Sequence, residues 1–225
     1  MKKQFIVANW KSHKTAAEAK DWLEAYHLAI SQFPIADEKE IILCPPFPLL
    51  PICFDFIQKH HLTLLLGSQT ISSYPEGTYT GEVSARLLKD FVSYTLIGHS
   101  ERRKFFHETD TDMTAKVQMA KAHNITPILL IGNTEELVPA GVKIVVYEPP
   151  GAISSAAGQH PDNPQDVARV ADIIATKNSV SYILYGGSVT AQNVATFTQL
   201  PEISGVIVGG ESLDGKAFAQ IAQNS

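Results

Sequence analysis

Short apolar runs alternate with longer amphipathic stretches along the whole chain. The runs Phe5–Ala8, Ile41–Cys44, Leu64–Ser68, Tyr94–Gly98, Pro127–Ile131, Lys143–Tyr147, Tyr182–Tyr185 and Gly205–Val208 predict strands. Most are apolar at successive positions, as in a parallel sheet covered on both faces. Between them, Ala16–Gln32, Leu49–His60, Glu82–Asp90, Thr111–His123, Pro164–Thr176, Asn193–Gln199 and Gly215–Gln223 predict helices. Such βα alternation builds either an open doubly wound sheet or a closed barrel. Eight strands favour closure, so the expected fold is α/β: a single-domain, eight-stranded parallel (β/α)8 barrel over residues 1–225. One unit is short. The stretch 132–142 has room for about two helical turns. Apolar barrel wall is then left for a second subunit, a long side chain or a local loop to cover.

Composition narrows the picture. A chain of 225 residues with 44% hydrophobic and 18% charged content can bury a full core. Its net charge of −5 gives no basic surface for nucleic acid. An anionic substrate is still allowed, because a few lysines and backbone amides can dominate one cleft. Cys44 and Cys53 are too few for a disulfide framework or a zinc module, and suit free thiols in a reducing compartment. The N-terminal "MKKQFIVANW" is broken at Asn9 and Lys11, so it reads as a strand and not a signal peptide. No stretch has the length to span a bilayer. The expectation is a cytoplasmic protein without membrane or nucleic-acid partners.

Polar groups gather where the strands end, the face on which barrels of this kind build their sites. Strand one runs into "ANWKSHK" and strand four into "GHSERR". Strand six ends in "YEPPGAISS", strand seven in "YGGS" and strand eight in "VGGESL". Ser100 is placed to cap a following helix, with Glu101 complementing its dipole. His99 then sits beside exposed backbone donors, which favours a neutral ring. Singly, each residue has a plain explanation. Asn9 and Lys11 could be solvated loop residues, Glu148 a salt-bridge partner, and Gly186-Gly187 and Gly209-Gly210 simple turns. Placed together they equip one mouth with a carboxylate, a cation, an uncharged donor and two amide-rich turns. That set suits proton removal beside a carbonyl in a phosphorylated substrate, with the oxyanion stabilised by Lys11 and His99. It requires no cofactor, metal or covalent nucleophile.

The ordered motifs "ANWK", "CPPF", "GSQT", "GTYTGEVSA", "IGHSERR", "YEPPGAIS", "YGGSV" and "VGGESL" resemble those of triosephosphate isomerases over nearly the whole chain. Those enzymes are themselves the standard illustration of a carboxylate base, a neutral histidine and a closing lid working together. The resemblance implies a TIM barrel that interconverts dihydroxyacetone phosphate and D-glyceraldehyde 3-phosphate without a cofactor, in glycolysis and gluconeogenesis. It makes Glu148 the base, His99 and Lys11 the electrophiles, and Asn9 an orienting group. Glu101 would hold Lys11, and backbone amides of Ser154, Ser188, Gly209 and Gly210 would grip phosphate. Ile153 and Ile207 would close over the base, excluding water and strengthening it. Thr80 would reach toward Asn9 and His99 of the partner subunit, making a homodimer, while the short fifth unit is compatible with a tetramer.

Three segments depart from the family pattern. Pro149-Pro150-Gly151 stands where a proline, an apolar residue and a tryptophan are usual. Ser154, Ser155 and Ala156 stand where glycines are usual, and Asn133 replaces a common glutamate. They imply a rewired lid. Two other readings stay open: an isomerase of another small sugar phosphate, or a phosphate-binding barrel whose chemistry has lapsed.

Overall fold

Alternation along the strands sorts the side chains into two cores. In the computed structural model, which describes residues 3–149 and 162–225, all strands pair in parallel and close in chain order. They are β1 (Gln4–Asn9), β2 (Lys39–Cys44), β3 (Leu64–Ser68), β4 (Tyr94–Ile97), β5 (Thr126–Ile131), β6 (Ile144–Tyr147), β7 (Tyr182–Tyr185) and β8 (Gly205–Val208). Phe5, Val7, Leu96, Leu130, Val146, Leu184 and Ile207 share one buried cluster inside the barrel. Their strand neighbours Ile6, Ala8, Ile97, Leu129, Val145, Ile183 and Val206 belong to the second cluster, between barrel and helices. Both faces are therefore dry, as the unbroken apolar runs require.

The outer layer holds α1 (Ala16–Gln32), α2 (Leu50–His60), α3 (Ala85–Leu88), α4 (Ser100–Phe106) and α5 (Asp110–Ala122). It continues with α6 (Pro164–Asn178), α7 (Val194–Thr198) and α8 (Gly215–Asn224). Thr15 and Thr109 start α1 and α5 with complete capping boxes, each side chain bonding the N3 amide while Glu18 or Asp112 bonds back. A cap of this kind contributes about 1 kcal/mol. The stretch expected to be helical over 82–90 contracts to the single turn of α3, and residues 74–82 form an exposed loop before it.

The segment 132–143 differs from the expectation of a reduced helix. It is a chain of turns and bends. Side chains take the backbone donors that would start a helix there: Gly132 N–H donates to Glu136 Oε1 at 3.0 Å, and Glu135 N–H to Asn133 Oδ1 at 2.9 Å. Pro139 and a left-handed Gly141 (φ 84°) complete the detour. The wall beneath is covered all the same. Ile131, Val142 and Val145 are buried, Val138 packs against them, and Lys177 of α6 ties the segment down through the Thr134 carbonyl at 2.8 Å. A local loop therefore does the covering.

Close approach of α1 and α8 depends on one missing side chain. Trp22 of α1 lies between Trp10 and Tyr26, with ring centroids 5.0 and 5.2 Å away, and its indole N–H donates to Ser212 O at 2.9 Å. A Cβ on Gly215 would stand 2.4 Å from the Trp22 carbonyl oxygen, a clash with backbone that no rotamer relieves. Gly215→Ala is expected to cost about 1–3 kcal/mol. Thermal unfolding should show it as a midpoint several degrees lower; an unchanged midpoint would mean the two helices separate freely.

Candidate active site

The same alternation that fills the barrel delivers polar groups to its C-terminal mouth. Asn9 follows Phe5 and Val7, Glu148 follows Ile144 and Val146, and Gly209 follows Ile207, each two residues on and on the inward side. His99 breaks this rhythm, because Tyr94 and Leu96 put Gly98 inward, not His99. Gly98 has φ +75° and resolves the conflict by reversing the chain. A Cβ there would meet Met113 Sδ at 2.6 Å and Leu130 O at 3.2 Å. The imidazole thereby joins Asn9, Lys11, Glu148, Gly186, Gly187, Ile207 and Gly209 around one cleft. Gly186 is equally constrained, since a Cβ would fall 2.7 Å from Val146 and 2.9 Å from Ile207.

His99 is also the cap of α4. Its Nδ1 accepts the Glu101 backbone N–H at 3.2 Å. Capping was expected of Ser100, but Ser100 is the first helical residue and its hydroxyl does something else. A ring nitrogen that accepts cannot carry a proton, so in this geometry the imidazole is neutral with its hydrogen on Nε2. Nε2 lies 3.6 Å from Glu148 Oε1. Ser100 Oγ donates to the other carboxylate oxygen, Oε2, at 2.9 Å. Glu148 is only 8% exposed. Burial, the largest cause, holds its carboxyl above the ordinary 4.5 of a glutamate; the Ser100 hydrogen bond and the Lys11 ammonium pull it back, while Glu101 adds to the rise.

Lys11 reaches the cleft on a left-handed backbone (φ 51°). Its N–H donates to Asn9 Oδ1 at 3.1 Å, and its ammonium donates to Glu101 Oε1 at 2.7 Å. Gln69 pins the same turn, its Nε2 donating to the carbonyls of Lys11 (2.8 Å) and Cys44 (3.0 Å). Ser100 and Gln69 escaped the sequence reading as site residues. Ser100 was absorbed into the capping pattern, and nothing local marks a glutamine that acts on a turn 58 positions away.

The glycine turns form the far rim. Gly209 and Gly210 join Lys11, Trp10, His13 and Glu101 around an adjoining cleft of about 230 Å³. Ser188 stands next to Gly187, which lines the main cleft while Ser188 does not. Ile207 borders it as expected. Ile153, Ser154 and the altered positions Pro150, Gly151, Ser155 and Ala156 lie outside the described residues. Thr80 is exposed in the 74–82 loop, beside stacked Tyr74 and Tyr79 whose rings are 4.5 Å apart. Among the described residues no helix is long and apolar enough to cross a membrane, and no group of three or more metal-ligating side chains occurs. The larger groove between α1 and α2, about 700 Å³, is lined by side chains such as Lys20, His27 and Phe56. It contains none of the groups that converge at the barrel mouth.

A family model described as triosephosphate isomerase matches residues 4–144 and 138–225. The chain belongs to the triosephosphate isomerase family. The triosephosphate isomerase of Trichodesmium erythraeum is 36% identical over 246 residues, covering 98% of each chain. That of Chlamydia abortus is 35% identical over 255 residues, covering 99% of this chain and 98% of its own. The crystal structure of triosephosphate isomerase from Bartonella henselae superposes with a TM-score of 0.83 at 29% identity, covering 99% of this chain and 98% of that one. This triosephosphate isomerase family member is thus a closed parallel barrel, as its apolar runs predict.

Burial of Glu148 has a measurable cost to stability. Its folded carboxyl titrates above the unfolded one, so protonation favours the fold. Stability is not penalised below the unfolded value near 4.5, and it falls as pH rises through the higher folded value. Glu148→Gln removes the charge and keeps the shape. Its thermal midpoint should exceed the parent's at pH 7, with the gap closing toward pH 4 in scans of both proteins. A parent equal to or more stable than the variant at pH 7 would contradict the burial cost.

Proposed function

We propose that the cleft interconverts dihydroxyacetone phosphate and D-glyceraldehyde 3-phosphate through an enediolate, with Glu148 as base and His99 and Lys11 as electrophiles. The observation carrying this reading is the carboxylate, raised by burial, facing the protonated Nε2 of a neutral imidazole at 3.6 Å. Glu148 takes a proton from the carbon beside the carbonyl. The electron pair moves into the C–C bond and charge collects on the carbonyl oxygen. The His99 Nε2–H and the Lys11 ammonium stabilise that oxygen in a water-poor mouth. Returning the proton to the neighbouring carbon gives the isomer. Asn9 orients the oxygen-bearing end, and Glu101 fixes Lys11 through their 2.7 Å ion pair.

The phosphate of a triose would lie against the backbone of the two glycine turns, at Ser188, Gly209 and Gly210, with Ser154 contributing from the segment after β6. Ile207, only 4% exposed beside the base, keeps that corner apolar. No cofactor enters the scheme. A homodimer belongs to this reading, supported by the projecting 74–82 loop and the exposed Tyr74–Tyr79 stack that would enter a partner subunit. A tetramer has less support, since the short β5–β6 unit covers its own wall. A cytoplasmic location accords with the free, buried thiols of Cys44 and Cys53.

Glu148→Gln should lower kcat for either triose phosphate by about 10²- to 10⁴-fold, the usual worth of a positioned base. A coupled assay of purified protein, run beside pentose phosphates, measures this. Unchanged turnover in the variant refutes the assigned base. Binding of phosphate with no turnover in the parent would instead identify a lapsed barrel.

A further inference from the structure

Behind the cleft a second charged cluster joins α4 to the segment after β5. Arg103 donates from Nε to the Gly98 carbonyl at 2.9 Å and from Nη2 to the Leu130 carbonyl at 3.1 Å. One guanidinium thus staples the end of β4 to the end of β5. Glu136 holds this staple in place. Its Oε2 lies 2.9 Å from Arg103 Nη2, in an ion pair without a well-aligned hydrogen bond. Its Oε1 accepts from Gly132 N–H at 3.0 Å and from Asn133 Nδ2 at 3.2 Å. The other acid near Arg103 is Asp110, farther away at 3.7 Å and 60% exposed.

The stapled carbonyl belongs to the residue whose positive φ turns His99 into the mouth. A guanidinium drawn away from Gly98 would free that peptide, and with it the direction of the imidazole. The cluster also borders the base. Gly98, Ser100, Arg103, Gly132, Glu136 and Glu148 line one cavity of about 90 Å³. Among the described residues no hydrogen bond or ion pair joins Glu136 to His99 or Glu148, and its ion pair leads through Arg103 to the Gly98 carbonyl.

We propose that Glu136 is a positioning residue for His99. Its carboxylate fixes Arg103, which holds the Gly98 carbonyl and hence the reversed backbone that aims the imidazole at the substrate. With Glu136 uncharged, Arg103 turns toward exposed Asp110 and the Gly98 peptide loosens. This inference rests on the reading of His99 as an electrophile of the reaction.

Glu136→Gln tests it, since the amide keeps the shape and the acceptor for Gly132 while removing the charge. Turnover and the ¹⁵N signals of the His99 imidazole are measured on the full chain. The expected result is a kcat lower by about tenfold or more, a KM within about twofold of the parent, and displaced or broadened His99 signals. Glu136→Asp, which keeps the charge on a shorter arm, should recover part of the loss. Glu135→Gln is the control, because Glu135 is 82% exposed on the same turn and pairs with Lys177; it should match the parent in both readouts. Parent-like kcat and His99 signals in Glu136→Gln overturn the proposal, as does a lowered thermal midpoint with catalysis per folded molecule intact. Should Glu136→Gln not fold, the same two readouts on Glu136→Asp decide. Parent turnover lost in Glu148→Gln tests the site itself, so a silent Glu136→Gln in an active enzyme overturns only the positioning role.

Discussion

A carboxylate buried at the barrel mouth without a lysine or arginine at ion-pair distance is the constraint to which the rest of the site answers. Among the described residues, Glu148 meets only the Ser100 hydroxyl and the neutral edge of His99 at short range. The Lys11 ammonium is engaged by Glu101 instead. Had Lys11 paired with Glu148, the carboxylate would have been cheaper to bury and weaker as a base. The division of charge, with one acid for the cation and another left to burial, keeps the ammonium and the buried carboxylate apart within one cleft.

That separation is maintained by backbone more than by side chains. Gly98 and Lys11 both take left-handed conformations, one free of Cβ strain and the other not. At Lys11 the strained turn is held by Asn9 from inside and by Gln69 from above. At Gly98 the carbonyl is held by Arg103. The strain at Lys11 persists only where surrounding contacts over-determine the geometry, and Asn9 and Gln69 supply those contacts. The helix that follows has a further role. By accepting the Glu101 N–H, His99 uses α4's first unsatisfied donors to choose its own tautomer.

Most of the fold could be read from the chain because parallel strands buried on both faces leave unbroken apolar runs such as Leu64–Ser68 and Tyr182–Tyr185, whose boundaries agree with the structure. Asn9, Lys11, His99 and Glu148 were legible for a related reason: polar residues directly after such runs must lie at the strand ends. Interactions across the barrel left no such trace. Ser100 looked like a helix cap, yet serves Glu148 48 positions away. Gln69 and Glu136 act through carbonyls or a guanidinium on other strands and helices, and periodicity does not encode those partners. The 132–142 stretch has room for about two helical turns, yet the side chains of Asn133 and Glu136 capture the local backbone donors instead, which length alone does not reveal.

The titration of Glu148 itself tests the central claim most directly. Carboxyl carbon NMR of protein labelled at glutamate, with the Glu148 signal assigned by its loss in Glu148→Gln, follows that single group through acid pH. A midpoint clearly above the ordinary 4.5 is the result expected of a carboxylate whose burial outweighs its partners. A midpoint at or below 4.5 would show that the mouth stabilises the charge, and would contradict the proposed role of Glu148 as base.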